Sequence, residues 1–151
     1  MDINVILHPT DGSSAAKKAL DLACDLARDH QARLVLLHAQ RHTGSSAVPE
    51  ELEQFEKLEH YRVTEADLLA EAARSVLQIA KDDAGNRGLT DIETMVVIGD
   101  PARAIVEAAT KKKADLIVIG SRGLGDLQGL LLGSVSHKVA QSASCSCVVV
   151  R

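Results

Sequence analysis

Short apolar runs alternate along the chain with longer stretches of helical period. Ile3, Val5, Ile6 and Leu7 make the first run, and His8, Pro9, Thr10, Asp11 and Gly12 punctuate it, so a strand over residues 3–7 is predicted to end in a turn. Ser13 or Ser14 then stands where a helix cap is wanted. Ala16, Ala19, Leu20, Ala23, Leu26 and Ala27 follow at spacings of three and four, with Lys17, Lys18, Asp21, Asp25 and Arg28 turned outward. A second strand is predicted over residues 34–39. A loop over residues 43–49 gives way at Pro49 to one long helical stretch. Its first part, residues 50–62, is crowded with charge, and its second carries a stripe of Leu69, Ala72, Ala73, Val76 and Ala80 before residues 85–88 stop it. A third strand over residues 92–98 turns at Gly99, Asp100 and Pro101 into a helix lined by Ile105, Val106, Ala108 and Ala109. A fourth strand over residues 116–119, a glycine-rich loop over 120–133, a short helix over 134–142 and a fifth strand over 147–150 complete the chain.

Five strands separated by helices predict right-handed crossovers and an α/β fold: an open parallel sheet with helices on both faces. The strands read as continuous apolar runs rather than alternating ones, as strands buried on both faces do. In such a sheet a ligand sits beyond the carboxyl ends of the strands, which directs attention to the loops after Leu7, Leu37, Ile98 and Ile119.

Composition narrows this picture. The 151 residues suit one domain, residues 1–151, with enough chain for a core that needs no staples. A net charge of −4 and the absence of a basic stripe argue against a nucleic-acid partner, and one Phe, one Tyr and no Trp leave no base-stacking platform. Cys24, Cys145 and Cys147 are odd in number and form no disulfide framework, which fits a reducing, cytoplasmic setting. No apolar run approaches the ~20 residues of a membrane-spanning helix, so the chain is not expected to be membrane-embedded.

The glycine loop carries the chemistry. Five of the ten glycines fall between Gly120 and Gly133. Glycine permits positive φ and close approach of an anion to the backbone. Gly133 and Ser134 stand where a helix begins, so unpaired amides, the positive dipole end and the Ser134 and Ser136 hydroxyls would converge there. No Lys precedes Ser134, so this is not a Walker loop. Gln128 stands where a Rossmann fingerprint beginning at Gly123 needs its third glycine.

The spacing of Gly120, Gly123, Gly133 and Ser134 resembles the universal stress protein family, in its ATP-binding branch. The resemblance extends through residues 5–13, 36–39 and 97–101, which are similar to that family's first three strands and their turns. It implies a five-stranded sheet in the order 3-2-1-4-5 and a homodimer or higher homo-oligomer pairing through the last strand. It also implies ATP with Mg2+. Pro9, Thr10 and Asp11 would border the adenosine, and Ala39 would offer backbone to the adenine. Gly120, Ser121, Arg122 and Gly123 would line ribose and phosphates, while Gly133, Ser134, Val135 and Ser136 would hold the phosphates. Two positions depart from the family pattern: His8 stands where a small or apolar residue is usual, and Ser146 where a proline often precedes the last strand.

Blander readings stand beside these. Asp11 is also a natural turn or cap residue, and Arg122 also a solvated surface cation. Cys145 and Cys147 lack the second ligand pair of a metal site and read as strand packing. His8 and His38 read as structural, and His30, His42, His60 and His137 as surface residues. No nucleophile elbow, recognisable carboxylate pair or Ser-Gly-Gly-x-Asp-Ser loop is present, and nothing positions Asp126 against a γ-phosphate. The expected role is therefore that of a regulatory ATP-binding protein acting through a nucleotide-dependent oligomer or an unknown regulatory protein partner, and not that of an enzyme. A nucleotide-independent interaction module and a slow ATPase or phosphotransfer enzyme are the alternatives.

Overall fold

Side-chain parity along the strands decides which helix covers which face. Ile6, Leu34, Leu36, Leu116 and Val118 pack into one apolar cluster, and Leu7, Val35, Leu37, Ile117 and Ile119 into another on the opposite face. The computed structural model describes residues 2–41, 64–124 and 132–151. Its strands are β1 (Val5–Pro9), β2 (Arg33–Gln40), β3 (Ile92–Ile98), β4 (Leu116–Gly120) and β5 (Ser146–Val150), and its described helices are α1 (Ser14–His30), α2 (Glu65–Asn86), α3 (Pro101–Lys112) and α4 (Ser134–Ser142). All strand pairs are parallel and the order is β3-β2-β1-β4-β5. Helices α1 and α2 cover the first cluster; α3 and α4 cover the second.

The predicted fold is therefore the observed one, with three local corrections. First, β1 spans Val5–Pro9 rather than residues 3–7, so His8 and Pro9 belong to the central strand and not to the turn. Second, α2 is not the continuation of a helix opened at Pro49. Thr64 is extended (φ −97°, ψ 160°) and closes a reciprocal capping box with Asp67, which fixes a helix start there. The charge-dense stretch 50–62 and the loop 43–49 lie outside the described residues. Third, the buried seam of α2 is Ala73, Leu77, Ala80 and Ala84: Ala73 and Ala80 of the predicted stripe are buried and Leu69 and Val76 half-buried, but Ala72 is exposed and Leu77 and Ala84 join the seam.

Elsewhere the local chemistry does what its residue types require. Ser13 caps α1 by accepting from the Ala16 amide at 3.2 Å. Asp100 caps α3 by accepting from Arg103 at 3.0 Å, with Pro101 in the first turn. Ile6, Leu7, Leu34, Val35, Leu36, Leu37, Ile117 and Val118 are wholly buried, each contributing about 1.5–3 kcal/mol by transfer from water. Cys24 is buried on the alanine face of α1, and burial pushes its thiol up to about 11. Burial also raises the thiols of Cys145 and Cys147, which pack beside the second cluster.

Candidate functional site

The site grows from the point where β1 and β4 part. The pairing of β1 with β4 covers Ile6 opposite Leu116 and Leu7 opposite Ile117. The Thr10 amide donates to Leu37 O at 2.8 Å, toward β2. Consecutive amides of a strand point to opposite sides, so the amide of position 9 would point toward β4. Proline has no N–H to give. The side chain of His8 supplies the donor instead: its Nδ1 lies 2.8 Å from the Val118 carbonyl. A carbonyl only accepts, so Nδ1 carries the proton and Nε2 is left bare. That Nε2 is buried without a hydrogen-bond partner. Desolvation therefore dominates and lowers the His8 pKa to about 4, against smaller opposing effects from the Val118 hydrogen bond and Asp11. His8 is a neutral structural imidazole completing a strand ladder. His38 does similar work on β2, its Nδ1 lying 2.9 Å from Thr10 O.

Beyond the parted strands lies a cavity of about 350 Å³. Ten of the twelve residues singled out by the sequence line it: Pro9, Thr10, Asp11, Ala39, Gly120, Arg122, Gly123, Ser134, Val135 and Ser136. Ser121 and Gly133 do not; they form its foundation. The Ser121 amide donates to Val150 O, and the Gly133 amide donates to Ser121 O, both at 2.6 Å. The Ser136 hydroxyl donates inward to Ser121 O at 2.9 Å and Gly133 O at 3.0 Å, so its single proton is committed to the backbone. The amides of Ser134, Val135 and Ser136 occupy the first turn of α4, before the first intrahelical bond from His137 to Gly133 O. Gly125, Asp126 and Gly129 lie outside the described residues, as do His42 and His60.

Two residues turn out to act differently from their simplest sequence reading. Gly120 is required by helix packing: a Cβ there would fall 2.8 Å from Ala15 C and 2.9 Å from Ala15 O and Ala16 N. Asp11 does not cap α1. Its Oδ1 accepts from the Ser13 amide at 2.9 Å, and its Oδ2 accepts from the Leu124 amide at 2.9 Å. It thus ties the loop after β1 to the loop after β4 across 113 positions of sequence.

The sequence reading missed Ala16, Arg41, Pro101, Ile105, Ile119 and Leu124 in the cavity wall. Ile119 and Pro101 border loops already marked by strand ends, so their position was available; Arg41 follows β2 with no motif to announce it. The finished wall is chemically divided. Pro9, Ala39, Pro101, Ile105 and Ile119 make it apolar on one side, while Arg41, Arg122 and the first turn of α4 make it favourable to negative charge on another. Among the described residues, no group of three or more His, Cys, Asp or Glu side chains is gathered for a metal ion. No described helix is long and apolar enough to cross a membrane.

An open parallel sheet with a ligand-sized crevice at its switch point defines a doubly wound α/β protein. The profile of the universal stress protein family matches residues 3–151, and the chain belongs to that family. It is 36% identical over 156 residues to universal stress protein YxiE of Bacillus subtilis, covering 98% of this chain and 99% of that one. A Thermus aquaticus universal stress protein is 37% identical over 148 residues, with 97% of each chain covered. Among solved structures, a universal stress protein in complex with cAMP superposes with a TM-score of 0.73 at 30% identity, covering 100% of this chain and 99% of its own. UspA from Lactobacillus plantarum superposes at 0.80 with 25% identity, covering 100% and 99%.

Proposed function

We propose that this protein is a regulatory adenine-nucleotide-binding protein of the ATP-binding branch, with ATP and Mg2+ in the switch-point cavity. The divided wall carries this reading: an apolar slot beside Ala39 and Ile105 suits a purine ring, and Arg41, Arg122 and the α4 amides suit phosphates. The family member solved with cAMP supports an adenine nucleotide as the ligand class. Among the described residues Asp11 is the one carboxylate in the wall, and both its oxygens already accept backbone amides. The described residues therefore do not build a protein-ligated magnesium site, and the ion would be held by the phosphates.

Occupancy would act on the Asp11–Leu124 tie and thereby on the surface offered to a second copy or a regulatory partner in the cytoplasm. In this reading the protein binds the nucleotide and is not an enzyme that turns it over. The second reading is a cyclic-nucleotide sensor, favoured by the ligand of the cAMP-bound relative. Calorimetric titration with Mg-ATP and, separately, cAMP separates the two. We expect one-to-one Mg-ATP binding that Ala39→Leu, which fills the slot, weakens by about tenfold or more. No binding, or equal binding by the variant, overturns the assignment. Tight cAMP binding with weak ATP binding selects the second reading.

A further inference from the structure

A second cavity, of about 260 Å³, lies on the other side of Arg122. Ser14, Ala15, Lys18, Ser121, Arg122 and Arg151 line it; three of these six are cationic and none is acidic. That concentration runs against a chain whose net charge is −4. Each element brings its part for a definable reason. Ser14 and Lys18 are four apart on α1 and share a face. The first turn of α1 itself holds no acidic residue, and the Asp11 carboxylate just ahead of it is engaged by the Ser13 and Leu124 amides. The Ser13 hydroxyl satisfies the Ala16 amide, leaving those of Ser14 and Ala15 without an intrahelical acceptor.

Packing fixes the cavity's position. With no Cβ at Gly120, the Ala15–Ala16 backbone settles directly against the end of β4. The Ser121 amide is anchored to Val150 O at 2.6 Å, which brings Arg151 to the same wall. Arg122 lines both cavities, so the two are neighbours across one side chain.

We infer that this second cavity is an oxyanion site that takes a tetrahedral phosphate group. Three cations lining one cavity beside a helix start would hold a dianion through charge-assisted hydrogen bonds, which are the strong kind. The phosphate has two conceivable sources with one chemistry: the distal phosphates of a nucleotide seated in the first cavity, a version that rests on the function proposed above, or free orthophosphate, which does not.

The test compares the wild type with a Lys18→Ala/Arg151→Ala variant, two exposed positions, with Lys18→Gln and Arg151→Gln singly in case the double variant misfolds. One arm titrates orthophosphate and follows the thermal midpoint and calorimetric heat. The other titrates AMP, ADP and ATP. If distal phosphates fill the site, the wild type binds ATP about tenfold or more tighter than AMP. The variant erases that gap while its AMP affinity stays within about twofold. If free phosphate fills it, orthophosphate stabilises the wild type and not the variant. Either result supports the site and names its source. Variants indistinguishable from wild type in both arms overturn it. Failure of AMP to bind wild type defeats the nucleotide reading alone, because the orthophosphate arm still judges the second cavity.

Discussion

The seam between β1 and β2 and the seam between β1 and β4 start alike and finish differently. Toward β2 the pairing runs from Val5 opposite Arg33 to Pro9 opposite Leu37. Toward β4 it stops after Leu7 opposite Ile117. The chain leaves β1 for α1 on one face and leaves β4 for α4 on the other, so among the described residues no segment refills the gap between them. The difference shows how a sheet can open without stranding its polar groups. Proline removes the donor that the shortened ladder would have used, a histidine side chain serves the remaining carbonyl, and an aspartate bridges the two departing loops.

The strongest way to break the β4 seam is to fill the space at Gly120. Gly120→Val would drive a side chain into the Ala15 and Ala16 backbone, which cannot rotate aside. We expect a loss of about 3 kcal/mol or more in urea unfolding. Gly12→Ala is the contrast: its φ of 79° is strained, but the nearest atom is a Val76 methyl at 3.6 Å, so about 1–2 kcal/mol is expected. A Gly120→Val protein as stable as Gly12→Ala would show that α1 does not depend on that close approach.

Acid sharpens the same comparison through His8. Its folded pKa of about 4 lies below the ordinary 6.5, so on acidification the unfolded chain takes up the proton first. The stabilisation is complete above the ordinary value and drains away as pH falls toward 4. Between about pH 7 and about pH 5 the wild type should lose about 2 kcal/mol from this group. His8→Gln, which retains a donor but does not titrate, should be flatter by that amount in denaturant titrations at the two pH values. An equal slope for both proteins would mean that His8 is not the buried neutral group described. The smallest effect is local. Asp11→Asn leaves one side-chain acceptor for two amides, and we expect about 1 kcal/mol of lost protection at the Leu124 or Ser13 amide, read as roughly fivefold faster hydrogen exchange.

The strands and the loops that meet beyond their carboxyl ends were legible because they depend on features with a period or a spacing, whereas the strand order and most of the cavity residues came from the family resemblance. Apolar runs marked the strands, and strand ends marked the loops that meet at the switch point. Other features were set by tertiary contact. The shift of β1 to include His8 and Pro9 depends on a side-chain bond to Val118, 110 positions away. No local rule places a proline in a central strand unless that partner is known. The glycine at 120 looked like a phosphate-loop residue because composition does not say which atoms come near it; the neighbour is the backbone of α1. The seam of α2 keeps Ala73 and Ala80 of the predicted stripe but turns from Ala72 toward Leu77 and Ala84, because alanines give a weak periodic signal and Leu77 was needed to orient it. Arg41 and Arg151 entered cavity walls through strand ends with no motif around them.

The placement of β1 at the centre also governs the chain's vulnerability while it is being made. Its second neighbour, β4, emerges from the ribosome 110 residues after it, roughly 5–20 s at ordinary translation rates. Through that interval one side of β1 is an open edge to which another nascent chain can add. Pro9 offers no N–H on that side, so the last rung of the template is missing when a foreign strand would most readily zip onto it. The residue that later lets the crevice open thus first serves as a guard against misassembly during synthesis.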